Sequence, residues 1–298
     1  MCNKAYFNLF MAVLLMFFAE TVTAVTYTRT DSLTAVRLLQ EGRVAVAKKA
    51  HLNLMIFYGH KLKGVPYVAR TLEVHKTEDL VVNLRELDCT TFVENVFALA
   101  LTTSAGSTSW EDYCKNLQAI RYRDGNIAGY ASRNHYFLWW AENNEKKHLV
   151  SILLNKMKNN SLLAKQKIYI NYMSTHADSY PMFKHNPNDI TVIGDMERAS
   201  AGRIMMYIPQ KNLGLSKNKL NMVKDGDILA ICTRKHGLDT THIGIAEWGS
   251  DGKLHLLNAS QIHKKVVLES MTLKKYMSKH PTQTGVWVIR PLSLIGNL

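Results

Sequence analysis

Little in this sequence divides it. Only six of its 298 residues are proline. No Pro/Gly/Ser-rich linker, repeat or low-complexity run breaks the chain, so a single domain with one sizeable core is expected over 25–298. Long apolar runs are missing too. The stretch Leu9 to Phe18 is about ten residues, against the roughly 20 that a helix needs to cross a bilayer. It follows Lys4 and precedes Val22-Thr23-Ala24, a small-residue cleavage pattern, so residues 1–24 read as a signal peptide and the rest as exported, periplasmic or secreted, without a stable membrane span after processing. Acidic residues are scarce: 24 Asp and Glu stand against 37 Lys and Arg, a net charge of +13. Cleavage after Ala24 would remove Lys4 and Glu20 together, so the excess belongs to the remaining chain; it favours an anionic partner, with an ordinary solvated surface as the other reading. The basic residues are scattered, as in Lys146-Lys147 and Lys274-Lys275, with no basic-aromatic motif, which argues against nucleic acid. Neither His-Glu-x-x-His nor paired Cys-x-x-Cys occurs, and no metal or other cofactor is expected.

Cysteine is also sparse. Of four in the sequence, Cys89, Cys114 and Cys232 lie beyond the leader, and an odd number in an oxidising compartment leaves at least one thiol free. Cys232 ends the apolar run Ile228 to Ile231 and reads as a buried small hydrophobe; a Cys114 to Cys232 bridge stays open. The surroundings of Cys89 are the most unusual of the three.

Helical spacing of Val36, Leu39, Val46, Ala50 and Leu54 predicts one or two helices between Leu33 and Tyr58, with Gly59 as a stop. Gly64 to Val68 reads as a turn into extended chain, because Pro66 biases its predecessor away from helix. Leu80 to Leu84 is a short strand or extended approach, and from Cys89 the clustering of Phe92, Val93, Val96, Phe97, Ala100 and Leu101 predicts a buried helix with a polar start. Residues 106–224 read as a long, largely helical insertion, with helices at Trp110 to Ile120 and Leu149 to Met157. Strands are expected at Asp227 to Cys232, Thr241 to Trp248, Leu254 to Ala259, Lys265 to Leu268 and Val286 to Ile289, with a hairpin turn at Gly249 to Gly252. Helices first and antiparallel strands afterwards give an α+β domain.

Asp88-Cys89-Thr90-Thr91-Phe92 sets a thiol where extended chain meets a helix N-terminus. Unpaired amides and the helix dipole there favour an anion, which predicts a lowered thiol pKa and a nucleophile. Asp88 is suited to cap the helix through the amide of Thr90 or Thr91, leaving the Cys89 amide for an oxyanion hole. A base is offered by Thr241-His242-Ile243-Gly244-Ile245-Ala246, a strand whose alternation puts His242, Gly244 and Ala246 on one face, open to close approach. Two residues of the next strand compete to orient His242. A three- or five-residue hairpin loop sets Asn258 directly opposite it, whereas a one-residue bulge would bring His255 round instead.

These segments resemble the NlpC-type cysteine peptidases and amidases, whose Asp-Cys-Ser/Thr-x-Phe, His-x-Gly-Ile and Gly-x-Pro-Tyr motifs are matched by Asp88 to Phe92, His242 to Ile245 and Gly64 to Tyr67. A long gap between Tyr67 and Cys89, and segments similar to Pro66–Glu73, Arg123-Asp124-Gly125 and Ser132–Phe137, resemble in particular the N-acetylmuramoyl-L-alanine amidase-like branch. That branch commonly has His at the third position, so Asn258 is a departure, though one able to accept the same hydrogen bond. The resemblance implies a papain-like NlpC-type fold and a cell-wall hydrolase that uses Cys89, His242 and Asn258 to cut the amide between muramic acid and L-alanine in peptidoglycan fragments. It also implies Tyr67, Arg133, His135 and Tyr136 as substrate-cleft residues; Trp139 and Trp140, nearby, are better read as core packing. The same motif residues would serve an endopeptidase cutting between D-glutamate and a diamino acid. A non-catalytic wall-binding module would be expected to have lost Cys89 or His242.

Overall fold

The computed structural model describes residues 25–49, 51–157, 159–292 and 294, and the expected signal peptide over 1–24 lies outside them. The chain enters through strand β1 (Val25–Thr26) and helix α1 (Arg29–Lys48), which starts on a capping box between Thr28 and Asp31. Asn53 then caps α2 (Leu54–Lys61), so the apolar stretch before Tyr58 is two helices. The stop expected at Gly59 does not occur. Gly59 lies inside α2, where an added Cβ would fall 2.5 Å from Leu257 Cδ2, so glycine serves close packing of helix on sheet instead of termination. The turn at Gly64 to Val68 forms as expected, bridging Pro66 to Lys265, and β2 (Leu80–Val81) pairs in parallel with β1.

Helix α3 (Cys89–Ser104) begins at the expected thiol and is buried at every position from Thr91 to Thr103. Full burial of each large apolar side chain, among them Phe92, Val93, Val96 and Phe97, is worth about 1.5–3 kcal/mol, so sliding this helix would be expensive. Charge ties it down as well. Glu94 of α3 accepts from Arg121 Nε at 2.7 Å, and Arg121, the last residue of α4 (Trp110–Arg121), donates from Nη1 to Val81 O at 2.6 Å.

The stretch expected as a helical insertion is mixed. It holds α4, α5 (Phe137–Lys146), the single turn α6 (Tyr172–Thr175) and α7 (Asn188–Ser200), but also β3 (Val150–Ile152), β4 (Ala164–Lys167) and β5 (Ile204–Pro209). The helix expected over Leu149 to Met157 is instead β3 followed by a 3-10 turn, Leu153–Lys156. His148, with φ of 57°, ends the preceding helical direction, and the β-branched Val150 and Ile152 find backbone partners at Pro291 and Ile289; a short apolar run does not itself distinguish the two outcomes.

The last third forms β6 (Ile228–Thr233), β7 (Thr240–Trp248), β8 (Leu254–Ser260), β9 (Lys265–Leu268), α8 (Leu273–Ser278) and β10 (Gln283–Pro291). Gly249 to Gly252 turns the β7–β8 hairpin, with the Gly249 amide donating to Lys253 O at 2.8 Å. The eight-stranded sheet runs β4-β5-β10-β6-β7-β8-β9, with β3 on β10, and all its pairings are antiparallel. Helices α1 to α5 cover one face through Ile228, Ala230, Ile243, Ile245 and Leu257; the other face, with Leu229, Ile231, Ala246 and Leu256, packs on α8 and neighbouring loops. The architecture is thus α+β, with helices on an antiparallel sheet. No helix among the described residues is long and apolar enough to cross a membrane.

Arg121 and Glu94 are almost wholly buried, so removing one charge strands the other. Arg121→Ala should lower the unfolding free energy in urea by about 3–5 kcal/mol, and the double variant Arg121→Met/Glu94→Gln should recover most of it. Equal losses in the single and double variants would show that the pair does not anchor α3.

Candidate functional site

The start of α3 is built from three side chains. Asp88, in extended conformation, accepts from the Thr91 amide at 2.8 Å, and Thr91 Oγ1 accepts from the Asp88 amide at 2.9 Å. With the N3 amide satisfied in this reciprocal way, the Thr90 amide is left to the Cys89 sulfur. Cys89, Cys114 and Cys232 are all free thiols, so the Cys114 to Cys232 bridge left open by the sequence does not form. Cys114 sits on α4 and Cys232 within β6.

The thiol does not have the lowered pKa expected of a helix start. Burial pushes it up to about 12, with the Asp88 carboxylate adding to the rise; hydrogen bonds from the Ile243 amide and from Thr90 oppose it only in part. The contact with Ile243 matters in another way, because it brings the sulfur against β7 one residue from His242.

His242 is held by Asn258. Its Nε2 lies 2.8 Å from Asn258 Oδ1. The register differs from the one expected: Ile245 pairs with Leu257 across a five-residue loop (249–253), so Asn258 falls level with Gly244 and reaches His242 diagonally. Parity is unaffected by a shift of two, and the two side chains share a face. His255 pairs with Glu247 on the opposite face, where its Nδ1 is 2.9 Å from Glu269 O and its Nε2 is 3.2 Å from Asp251 Oδ2. The face bearing Gly244 and Ala246 is not open, as it packs on Leu256, and a Cβ at Gly244 would fall 2.8 Å from Leu256 Cδ1. Burial lowers the pKa of His242, against the opposing pull of the Asn258 hydrogen bond and the Glu269 charge. At neutral pH the resting thiol and imidazole are therefore both uncharged.

Cys89, Thr90 and residues 240–243 open onto a cavity of about 260 Å³ whose far wall carries Glu73, Tyr130, Asn134, His135, Tyr136 and Trp140. Of the residues expected in the cleft, His135 and Tyr136 are there. His135 is neutral, its pKa lowered to about 3 by burial, and its Nε2 donates to Tyr130 O at 2.7 Å, which leaves Nδ1 as an acceptor. Tyr136 donates to Glu197 at 2.6 Å. Tyr67 stands near Cys89 but outside the lining, its hydroxyl pKa raised to about 12 by burial and the neighbouring thiol. Arg133 departs from expectation: it is buried outside the lining and gives Nη2 to Glu78 at 2.8 Å, so it serves the interior and not a bound carboxylate. The reason is that Glu78, whose other oxygen accepts from the Tyr122 hydroxyl, claims it first.

Trp139 packs as expected, its Nε1 on Ser200. Trp140 packs in the core as expected too, stacked on Phe137, and it also borders the cavity; its Nε1, like Asn134 Oδ1 and Thr241 Oγ1, is buried with no partner among the described residues. Asp239 had no signal in the sequence. Its carboxylate accepts from the Leu138 amide at 2.7 Å and so caps α5 from a distant loop, while burial raises its pKa to about 6. Among the described residues no group of three or more His, Cys, Asp or Glu side chains could hold a metal ion.

No curated protein matches the chain. Among solved structures it is similar to a Bacteroides uniformis protein named an N-acetylmuramoyl-L-alanine amidase, at 37% identity over 80% of this chain and 98% of that one, with a TM-score of 0.74. It is similar at 39% identity to a Bacteroides fragilis protein provisionally named a xylanase, over 78% of this chain and 98% of that one, with a TM-score of 0.72. A Legionella pneumophila protein at 20% identity, covering 88% of this chain and 95% of its own at a TM-score of 0.66, shares the fold. A family model described as AmiA-like, N-acetylmuramoyl-L-alanine amidase-like, matches residues 58–286, which take in Cys89, His242 and Asn258, and the chain belongs to that family.

Proposed function

We propose that the chain is an exported, cysteine-dependent N-acetylmuramoyl-L-alanine amidase of the NlpC type, acting on peptidoglycan fragments. The observation that carries this reading is a free thiol at a helix start, sharing a cavity with a histidine whose far nitrogen is bonded to Asn258 Oδ1 at 2.8 Å. In the reaction His242 takes the Cys89 proton as the sulfur attacks the lactyl carbonyl carbon. The tetrahedral oxyanion faces the Cys89 amide at the positive end of α3. The imidazolium then protonates the alanine nitrogen, the C–N bond breaks, and the stem peptide leaves with a free amine. Water, deprotonated by His242, hydrolyses the remaining thioester and restores the thiol.

A neutral resting pair suits this sequence, because His242 is able to accept a proton at neutral pH and the sulfur becomes anionic only as it attacks. The polar atoms of Trp140, Asn134 and Thr241 and the acceptor nitrogen of His135 supply donors and acceptors for a sugar-peptide ligand. The name of the Bacteroides fragilis relative suggests glycoside hydrolysis, which in general needs a pair of carboxyl groups across the scissile bond. The cavity lining includes Glu73 and Asp239, and Asp239 is occupied by the amides of Leu138 and Thr240. That favours the amidase.

Mass spectrometry of products from a disaccharide-tetrapeptide and from the free tetrapeptide tests the bond. The first should give sugar and tetrapeptide and the second should stay intact; release of a diamino-acid-D-alanine dipeptide would establish endopeptidase action instead. Cys89→Ala should lower turnover by at least about 10⁴-fold with unchanged thermal unfolding, and a metal chelator should have no effect. Zinc-reversible inhibition would replace the thiol mechanism with a metal one. Asn258→Ala should lower kcat by about 10²-fold with little change in KM, and His255→Ala should be mild. The reverse ranking would mean that His255 orients the base.

The pH profile has a determined sign. Protonation disables the base, so kcat/KM should fall as pH drops through the His242 pKa. That limb should lie below the ordinary histidine value of about 6.5. Burial and His280 lower this pKa; Asn258, Glu269 and Asp88 raise it. A limb above 6.5, or thiolate ultraviolet absorbance at neutral pH that vanishes in Cys89→Ala, would show a preformed ion pair.

A further inference from the structure

Glu269 follows β9 with only 1% of its surface exposed, and the reaction described above does not use it. Its backbone is fixed on both sides: the amide donates to Leu256 O at 2.9 Å, and the carbonyl accepts from His255 Nδ1 at 2.9 Å. The two carboxylate oxygens face different partners. Oε2 lies 3.1 Å from Nε2 of the half-exposed His263, and Oε1 accepts from Asn258 Nδ2 at 3.2 Å. Leu256 O is a second acceptor for the same Nδ2, at 3.3 Å.

A primary amide donates at one end and accepts at the other, whereas a carboxylate and a peptide carbonyl only accept. Asn258 is fully buried, and the two groups beside its Nδ2 are both acceptors. Rotating the amide by 180° would set its oxygen against the Glu269 carboxylate and the Leu256 carbonyl, take the donor from Glu269 Oε1, and leave Leu256 O with the Glu269 amide alone. The NH₂ end therefore faces Glu269, and Oδ1 faces His242. Because Oδ1 can only accept, the imidazole must carry its proton on Nε2, and Nδ1 keeps the lone pair.

We propose that Glu269 is a positioning residue: by fixing the direction of the Asn258 amide, it selects the His242 tautomer whose Nδ1 takes the Cys89 proton. The catalytic consequence rests on the amidase reading given above, but the tautomer does not. Glu269 also acts through its charge, which favours the imidazolium formed once the proton has moved. His263, at the exposed end, holds the second oxygen and leaves Oε1 to Asn258. In Glu269→Gln the new side chain offers Asn258 either a donor or an acceptor, so the amide is free to rotate and present Nδ2 to His242. The imidazole then turns its lone pair to Asn258 and a proton to the sulfur.

Nitrogen-15 NMR of His242, assigned by its disappearance in His242→Ala, reads the tautomer without any substrate. The wild-type chain at a pH where His242 is neutral should show Nε2–H, and Glu269→Gln should show a substantial Nδ1–H population. With muropeptide substrate, Glu269→Gln should lower kcat by about tenfold or more at nearly constant KM, and most of that loss should vanish in the Asn258→Ala background. His263→Ala, which leaves Oε1 on Asn258, should lower kcat by less than about threefold. An Nδ1–H imidazole in the wild-type chain overturns the proposal even if Glu269→Gln fails to fold, and so does an unchanged tautomer in a folded Glu269→Gln. An Nε2–H tautomer that depends on Glu269, in a chain that cleaves no muropeptide, would reject the functional reading and uphold this one.

Discussion

From Thr91 to Thr103 the helix that starts at Cys89 is buried on every side, pressed between the sheet and the helices around it. Its Glu94 is bound to Arg121, which is in turn bound to the carbonyl of Val81. A helix in that position cannot shift along its axis without stranding a buried ion pair and opening packed apolar surface. The end that carries Cys89 is thus attached to a rigid core. Asp88 and Thr91 complete it, satisfying each other and leaving the thiol to meet β7 at Ile243.

That rigidity has an electrostatic counterpart. The dipole of α3 favours an anion at Cys89, but desolvation and the Asp88 carboxylate act the other way and prevail, leaving a protonated thiol beside a neutral imidazole. The histidine is controlled from behind. Asn258 holds its outer nitrogen, and Glu269 and the Leu256 carbonyl hold Asn258. These hydrogen bonds form a row from the half-exposed His263 through Glu269 and Asn258 to His242.

Much of this could be read from the residues, and the failures have definite causes. The start of α3 was legible because a capping aspartate, a thiol and a threonine precede a dense apolar helix. Asn258 was legible because strand parity survives a shift of two, even though the hairpin loop lies later than a direct pairing required. The middle of the chain was not. Val150 and Ile152 pair with a strand about 140 residues away, and β4 and β5 join the sheet through partners that no local pattern reveals. Arg133 looked available because its partner, Glu78, is brought to it only by the fold. The thiol pKa was misjudged because helix position shows in sequence and depth of burial does not. Asp239, which caps α5 and lines the cavity, and Glu269, which is bonded to Asn258, look like ordinary loop and strand-end charges until the chain is folded.

The claim at the centre of this account is that Cys89 is acylated by the muramoyl lactyl group. Rapid acid quench of the protein during turnover of a disaccharide-tetrapeptide, followed by digestion and mass measurement of the peptide that carries Cys89, tests it directly. This peptide should gain the mass of the disaccharide acyl group, bound as a thioester and removable by hydroxylamine. A Cys89 peptide that stays unmodified while product accumulates, or one that carries a fragment of the stem peptide, would contradict it.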